Sequence, residues 1–150
     1  MAEIQNEDRA DEVANLLVRV YEIHEFVITE TGGLPGLREA AMLHSAVARP
    51  FATFGGQELY PTDFEKAAAL FHSLIKNHPF MDGTKRTAFA AALFFLENCG
   101  HSIPGQFPLN AVVDFCVSIA EENLPQSQGE NITPRTIPEI ADWFQKLLSL

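Results

Sequence analysis

Within nine residues, His78-Pro79-Phe80-Met81-Asp82-Gly83-Thr84-Lys85-Arg86, the chain places an imidazole, a carboxylate, a glycine and two cations, and an apolar stretch follows at once. That order suits phosphate chemistry. A carboxylate such as Asp82 can hold Mg²⁺, which takes hard oxygen ligands. Gly83 lets backbone approach an anion, and the free N–H groups of a following helical turn, at Thr84 and Lys85, point toward it. Lys85 and Arg86 supply positive charge, and an imidazole such as His78 is suited to accept a proton from an incoming hydroxyl. Each residue alone is ordinary loop chemistry; the joint order carries the reading. Lys76, Lys85 and Arg86, three of ten basic residues, lie within eleven positions of a chain with twenty acidic ones. Positive charge concentrated against the overall balance points to a local anionic ligand.

The elements that must hold this loop read as helices. Val13, Leu16, Leu17, Val20, Ile23 and Val27 recur at three- and four-residue steps, predicting a helix over about 9–30 that Gly32-Gly33 ends. Further helices are expected over 37–48, 63–76, 84–98, 109–123 and 136–149. Thr62-x-x-Glu65 and Thr136-x-x-Glu139 form capping boxes, and Pro50 and Pro79 act as stops. The exception is 51–60, where Gly55-Gly56 between short β-prone runs predicts a hairpin. Phe80, two residues from both His78 and Asp82, is expected to anchor the loop to the core. The fold expected is an all-α bundle with one small flap, a single domain over 1–150.

The motif resembles that of the Fic/Doc family, His-x-Phe-x-Asp/Glu-Gly-Asn-Gly/Lys-Arg. Lys85 at its eighth place is more similar to the Doc (death-on-curing) branch than to AMP-transferring Fic proteins. The runs Ala48–Pro61 and Phe64–Leu70 resemble the same branch. The resemblance implies a Fic/Doc-like helical bundle whose flap, 51–60, docks a protein substrate by strand pairing. It implies a toxin with ATP and Mg²⁺ that transfers a phosphoryl group to a hydroxyl of a translation factor such as elongation factor Tu. His78, Lys85 and Arg86 would be catalytic, Gly83, Thr84, Lys85 and Arg86 would hold nucleotide phosphates, and Asp82 would hold the metal. It also implies an antitoxin partner with a disordered tail that folds on binding. Two alternatives stay open: an AMP-transferring enzyme, or an inactive binding module with the same fold. Phe89, where AMP-transferring members carry a second Arg, favours the Doc reading.

Thr84 departs from the pattern, which has Asn there. A Thr offers one hydroxyl with shorter reach, so Thr84→Asn is expected to restore a phosphate contact. Ser118-Ile119-Ala120-Glu121-Glu122-Asn123 matches the Ser/Thr-x-x-x-Glu-Gly/Asn element that blocks nucleotide binding in many Fic proteins, and is read here as a chance match.

Composition bounds the rest. With 47% apolar and 20% charged residues the chain is globular. Its net charge of −10 argues against direct nucleic-acid binding. No run is long enough for a membrane span, and the acidic N-terminus lacks signal-peptide character. Cys99 and Cys116 read as small buried hydrophobes in a reducing, cytoplasmic setting.

Overall fold

The computed structural model describes residues 2–122 and 134–150. Among them are six α-helices: α1 (Ala2–Thr31), α2 (Ala40–Ala48), α3 (Asp63–Asn77), α4 (Thr84–Asn98), α5 (Leu109–Ala120) and α6 (Ile137–Leu148). One antiparallel hairpin interrupts them, β1 (Thr53–Phe54) and β2 (Gln57–Glu58). The architecture is all-α with a small flap. No helix among the described residues is long and apolar enough to cross a membrane.

α3 is the centre. Ala67, Ala68, Ala69, Leu70, Phe71, Ser73, Leu74 and Ile75 are all buried, so nearly the whole circumference of the helix is covered. Its alanines have little side-chain bulk, which allows close approach, and α2, α4, α5 and α6 pack around it. Thr62 caps its first turn by accepting the Glu65 N–H at 3.1 Å. The largest fully buried side chains include Phe71, Phe80 and Phe144, so the anchor expected in the loop is a core residue. α1 lies against α2 and α4, with Leu16, Val20 and Val27 turned inward.

The structure shifts several expected boundaries. α1 begins at Ala2, because Ala, Glu and Gln before the first apolar repeat are good helix formers. α2 starts at Ala40 rather than Leu37. Leu37 instead forms an antiparallel bridge with Phe80, and Glu39 is extended. Backbone paired to another segment cannot also be helical. After α2, Arg49–Phe51 makes one 3₁₀ turn with Pro50 at its start. α5 ends at Ala120, and Asn123, the last residue of the Ser118–Asn123 match, lies outside the described residues. Cys99 is exposed, correcting its reading as a buried hydrophobe; Cys116 is buried, and burial pushes its thiol up to about 11.

In the hairpin, Gly55 and Gly56 have φ of +59° and +79°, the paired left-handed values of a tight I′-like turn. Its base is pinned: Arg9 donates to Phe51 O at 2.8 Å and to Glu58 Oε1 at 3.2 Å, and Lys66 meets Glu58 at 3.3 Å. Phe54 at its tip stays 81% exposed.

Candidate active site

α3 ends at His78, which adopts the left-handed conformation (φ +48°, ψ +59°). Five residues later Gly83 does the same (φ +73°) and opens α4. The loop between therefore reverses the chain over one short span and leaves the N-terminus of α4 facing the end of α3. Thr87 N–H bonds Gly83 O at 2.9 Å, so the N–H groups of Thr84, Lys85 and Arg86 precede the first intrahelical bond. They supply the partial positive charge that attracts anions.

A cleft of about 730 Å³ opens above this turn. His78, Asp82, Gly83, Thr84, Lys85 and Arg86 line its polar side, and Ile75, Phe89, Val112, Val113 and Cys116 face them. One wall can take phosphate oxygens and the other a flat apolar group. Phe89 at the cleft gives the second wall an aromatic surface where a second Arg would have given charge.

Asp82 is held rigidly. Its Oδ2 accepts the Leu34 N–H at 3.0 Å and its Oδ1 accepts the Gly83 N–H at 2.8 Å. These two backbone donors, Leu34 first, hold its carboxyl below the ordinary aspartate range. The side chain is 44% exposed and each oxygen keeps a free lone pair. Among the described residues no group of three His, Cys, Asp or Glu side chains could cage a metal. A single carboxylate suits Mg²⁺, which is commonly held by one or two carboxylates with substrate phosphates and water.

The match to known proteins agrees with this geometry. A sequence model of the Fic/DOC family matches residues 16–96, more than half of the chain. The chain belongs to the Fic/DOC family. It is 43% identical over 89 residues to "Toxin Doc" of Mycolicibacterium smegmatis, covering 59% of this chain and 68% of that protein. It is 34% identical over 79 residues to "Protein kinase doc" of Escherichia phage P1, covering 52% of this chain and 61% of that protein. The family match begins inside α1 and ends inside α4, so it includes α2, α3 and the whole motif loop.

All six site residues expected from sequence line one cleft, but not all face it freely. His78 is exposed, with Nδ1 at 2.8 Å from Thr84 Oγ1. Thr84 is buried, so its hydroxyl meets the imidazole rather than reaching out to a phosphate; its backbone N–H remains at the helix N-terminus. Lys85 is exposed and has no ion-pair partner among the described residues. Arg86 turns back to α1, donating to Thr31 Oγ1 and to Gly32 O at 3.0 Å, with Asp82 Oδ1 at 3.9 Å. Lys76 is committed to Glu122, at 3.2 Å.

The sequence reading missed the segment that braces the loop from behind. Buried His24 stacks on Phe80 (centroids 3.8 Å apart, planes 6° apart) and its Nε2 donates to Asp82 O at 2.7 Å. Gly33 leaves room for Asp82: a Cβ there would meet Oδ2 at 2.7 Å. The available signal was His24 itself, four residues after Val20 on the apolar face of α1. The second glycine of Gly32-Gly33 also exceeded what a helix stop requires.

Glu122 settles where the Ser118–Asn123 match points. It is buried against Lys76, against His72 at 3.5 Å and against the Arg135 N–H at 2.9 Å. Its carboxylate is engaged there and is not part of the cleft lining.

Proposed function

We propose that this chain is the toxin of a toxin–antitoxin pair and transfers a phosphoryl group from ATP to a protein hydroxyl. The observation that carries the reading is the convergence of His78, Asp82, the N-terminus of α4 and Lys85 on one cleft with an apolar opposite wall. The names of the two relatives, a toxin and a protein kinase, support it.

His78 takes the proton of the acceptor hydroxyl through Nε2. For this Nδ1 must carry the hydrogen and donate to Thr84 Oγ1, which fixes the tautomer. The N–H groups of Thr84 and Lys85 bind phosphate oxygens, and Lys85 offsets charge that grows on them. Arg86 adds positive field while anchored on α1. Mg²⁺, held through Asp82, would neutralise the phosphate oxygens. The acceptor is a translation factor, with elongation factor Tu the candidate from the Doc resemblance. The 53–58 hairpin, pinned at its base and exposed at Phe54, is the docking edge for that protein. The antitoxin blocks the cleft with a tail that orders on binding.

AMP transfer would need cationic charge for the distal phosphates deeper in the cleft; Phe89 occupies that side. The test is incubation of the pure protein, Mg²⁺ and γ- or α-labelled ATP with cell lysate. Label from the γ position, lost in His78→Ala and with Mg²⁺-dependent ATP affinity lost in Asp82→Asn, supports the proposal. Label transferred from the α position alone makes it an AMP transferase. No label, with ATP still bound, makes the chain a binding module.

A further inference from the structure

Arg38, outside the motif, sits where it can govern the conformation of His78. Its Nε donates to His78 O at 2.8 Å and its Nη2 to Asn77 O at 2.9 Å. Its backbone N–H donates to Pro79 O at 2.7 Å, where the Glu39 N–H joins at 3.2 Å. Three successive carbonyls, 77 to 79, thus end on one residue. Those of Asn77 and His78 lie at the negative end of α3, where a cation is favoured.

His78 needs such a restraint. Among the described residues it is the one non-glycine with positive φ, a region that side-chain-bearing residues enter rarely and leave readily. A planar guanidinium bonded to adjacent carbonyls fixes the peptide plane between them, which an ammonium cannot do. With that plane fixed, the His78 Cβ direction is fixed, and the ring meets Thr84 Oγ1 at 2.8 Å. The segment carrying Arg38 is itself tied to the loop, since Gly36 O accepts the Met81 N–H at 3.0 Å and Leu37 bridges Phe80.

We infer that Arg38 is a positioning residue for His78: it locks the left-handed turn and thereby the imidazole tautomer presented to the acceptor. The inference rests on the proposed role of His78 as base.

The experiment compares the parent with Arg38→Ala and, as a milder change, Arg38→Lys. Long-range ¹H–¹⁵N spectra of the His78 ring are recorded together with ATP-dependent labelling kinetics. The parent should show a single tautomer protonated at Nδ1. Arg38→Ala should show a tautomer mixture and at least a tenfold lower kcat, with the KM for ATP within twofold, because Asp82 and the N-terminus of α4 are untouched. Arg38→Lys should recover little of either. A parent-like ring spectrum and kcat in a folded Arg38→Ala, or in Arg38→Lys if the alanine variant does not fold, overturns the inference. Absence of labelling by the parent would count against the transferase reading alone, since the ring spectra decide the Arg38 question without turnover.

Discussion

The Nδ1 of His78 lies 2.8 Å from Oγ1 of Thr84, so the imidazole at the end of α3 is tethered to the first residue of α4. The residue that departs from the family pattern therefore has a fitted task. Thr84→Val, isosteric but without the hydroxyl, should lower turnover about twofold to tenfold. That is the rate equivalent of a hydrogen bond worth about 0.5–1.5 kcal/mol. Nucleotide affinity should stay unchanged, because the backbone N–H is retained. Single-turnover labelling with titrated ATP measures both. The same tether reverses the expectation for Thr84→Asn: a longer side chain at this buried point should displace His78, and labelling should fall rather than rise.

Gly33→Ala should disturb Asp82, the proposed Mg²⁺ ligand, from a distance of 49 positions in sequence. The added Cβ would lie 2.7 Å from Asp82 Oδ2, and φ of +124° is hostile to any side chain. Strain of this kind costs about 1–3 kcal/mol. Denaturant melts should show that loss, and calorimetry should show weaker ATP binding with Mg²⁺ but little change without it.

His24→Phe keeps the stack on Phe80 and removes the bond to Asp82 O. A buried carbonyl left without its donor costs about 1–3 kcal/mol, to be read from the denaturation midpoint. A variant as stable as the parent would show that the stack alone holds the loop.

Acid should weaken the fold through His72. Arg49 donates to His72 Nδ1 at 2.7 Å, so that nitrogen must keep its lone pair while Nε2 faces Glu122. Burial first, then the Arg49 charge, holds the His72 pKa below its ordinary 6.5. The unfolded chain then binds the proton more readily than the folded one. Stability is complete above about pH 6.5 and declines as pH falls toward the depressed folded value. His72→Gln, which can serve both neighbours without titrating, should flatten the stability-versus-pH slope in that window.

Glu122→Gln should lower stability by about 1.5–3 kcal/mol, since it weakens charge-assisted bonds to Lys76 and to the Arg135 N–H. It should not raise the labelling rate. A rise would show that Glu122 restrains the cleft.

What the sequence made legible was local. Periodicity and caps found each α-helix among the described residues, because Thr62 and Thr136 cap their own first turns and Gly55-Gly56 dictates its own hairpin. The motif's composition identified the loop, because its residues act close to where they are written. What stayed hidden was long-range. Leu37 reads as the start of a helix and is recruited by Phe80; Arg86 reads as a phosphate ligand and is turned aside by the carbonyl end of α1. His24, Gly33 and Arg38 stand far outside the motif in sequence, so nothing in their spacing ties them to it. Their roles come from where the fold sets them down.

His24 and Asp82 are 58 positions apart, Arg86 and Gly32 54, and Leu34 and Asp82 48. Contacts so distant form only after the loop-closure entropy of the intervening chain has been overcome. The catalytic geometry is therefore tied to global cooperativity and has no stable local precursor. On the ribosome, where residues emerge in order, α1 and the glycine segment wait for α4 before Asp82 and His78 can be set. A fragment lacking α1 carries the whole motif without the brace of His24 on Asp82 or the Thr31 anchor of Arg86.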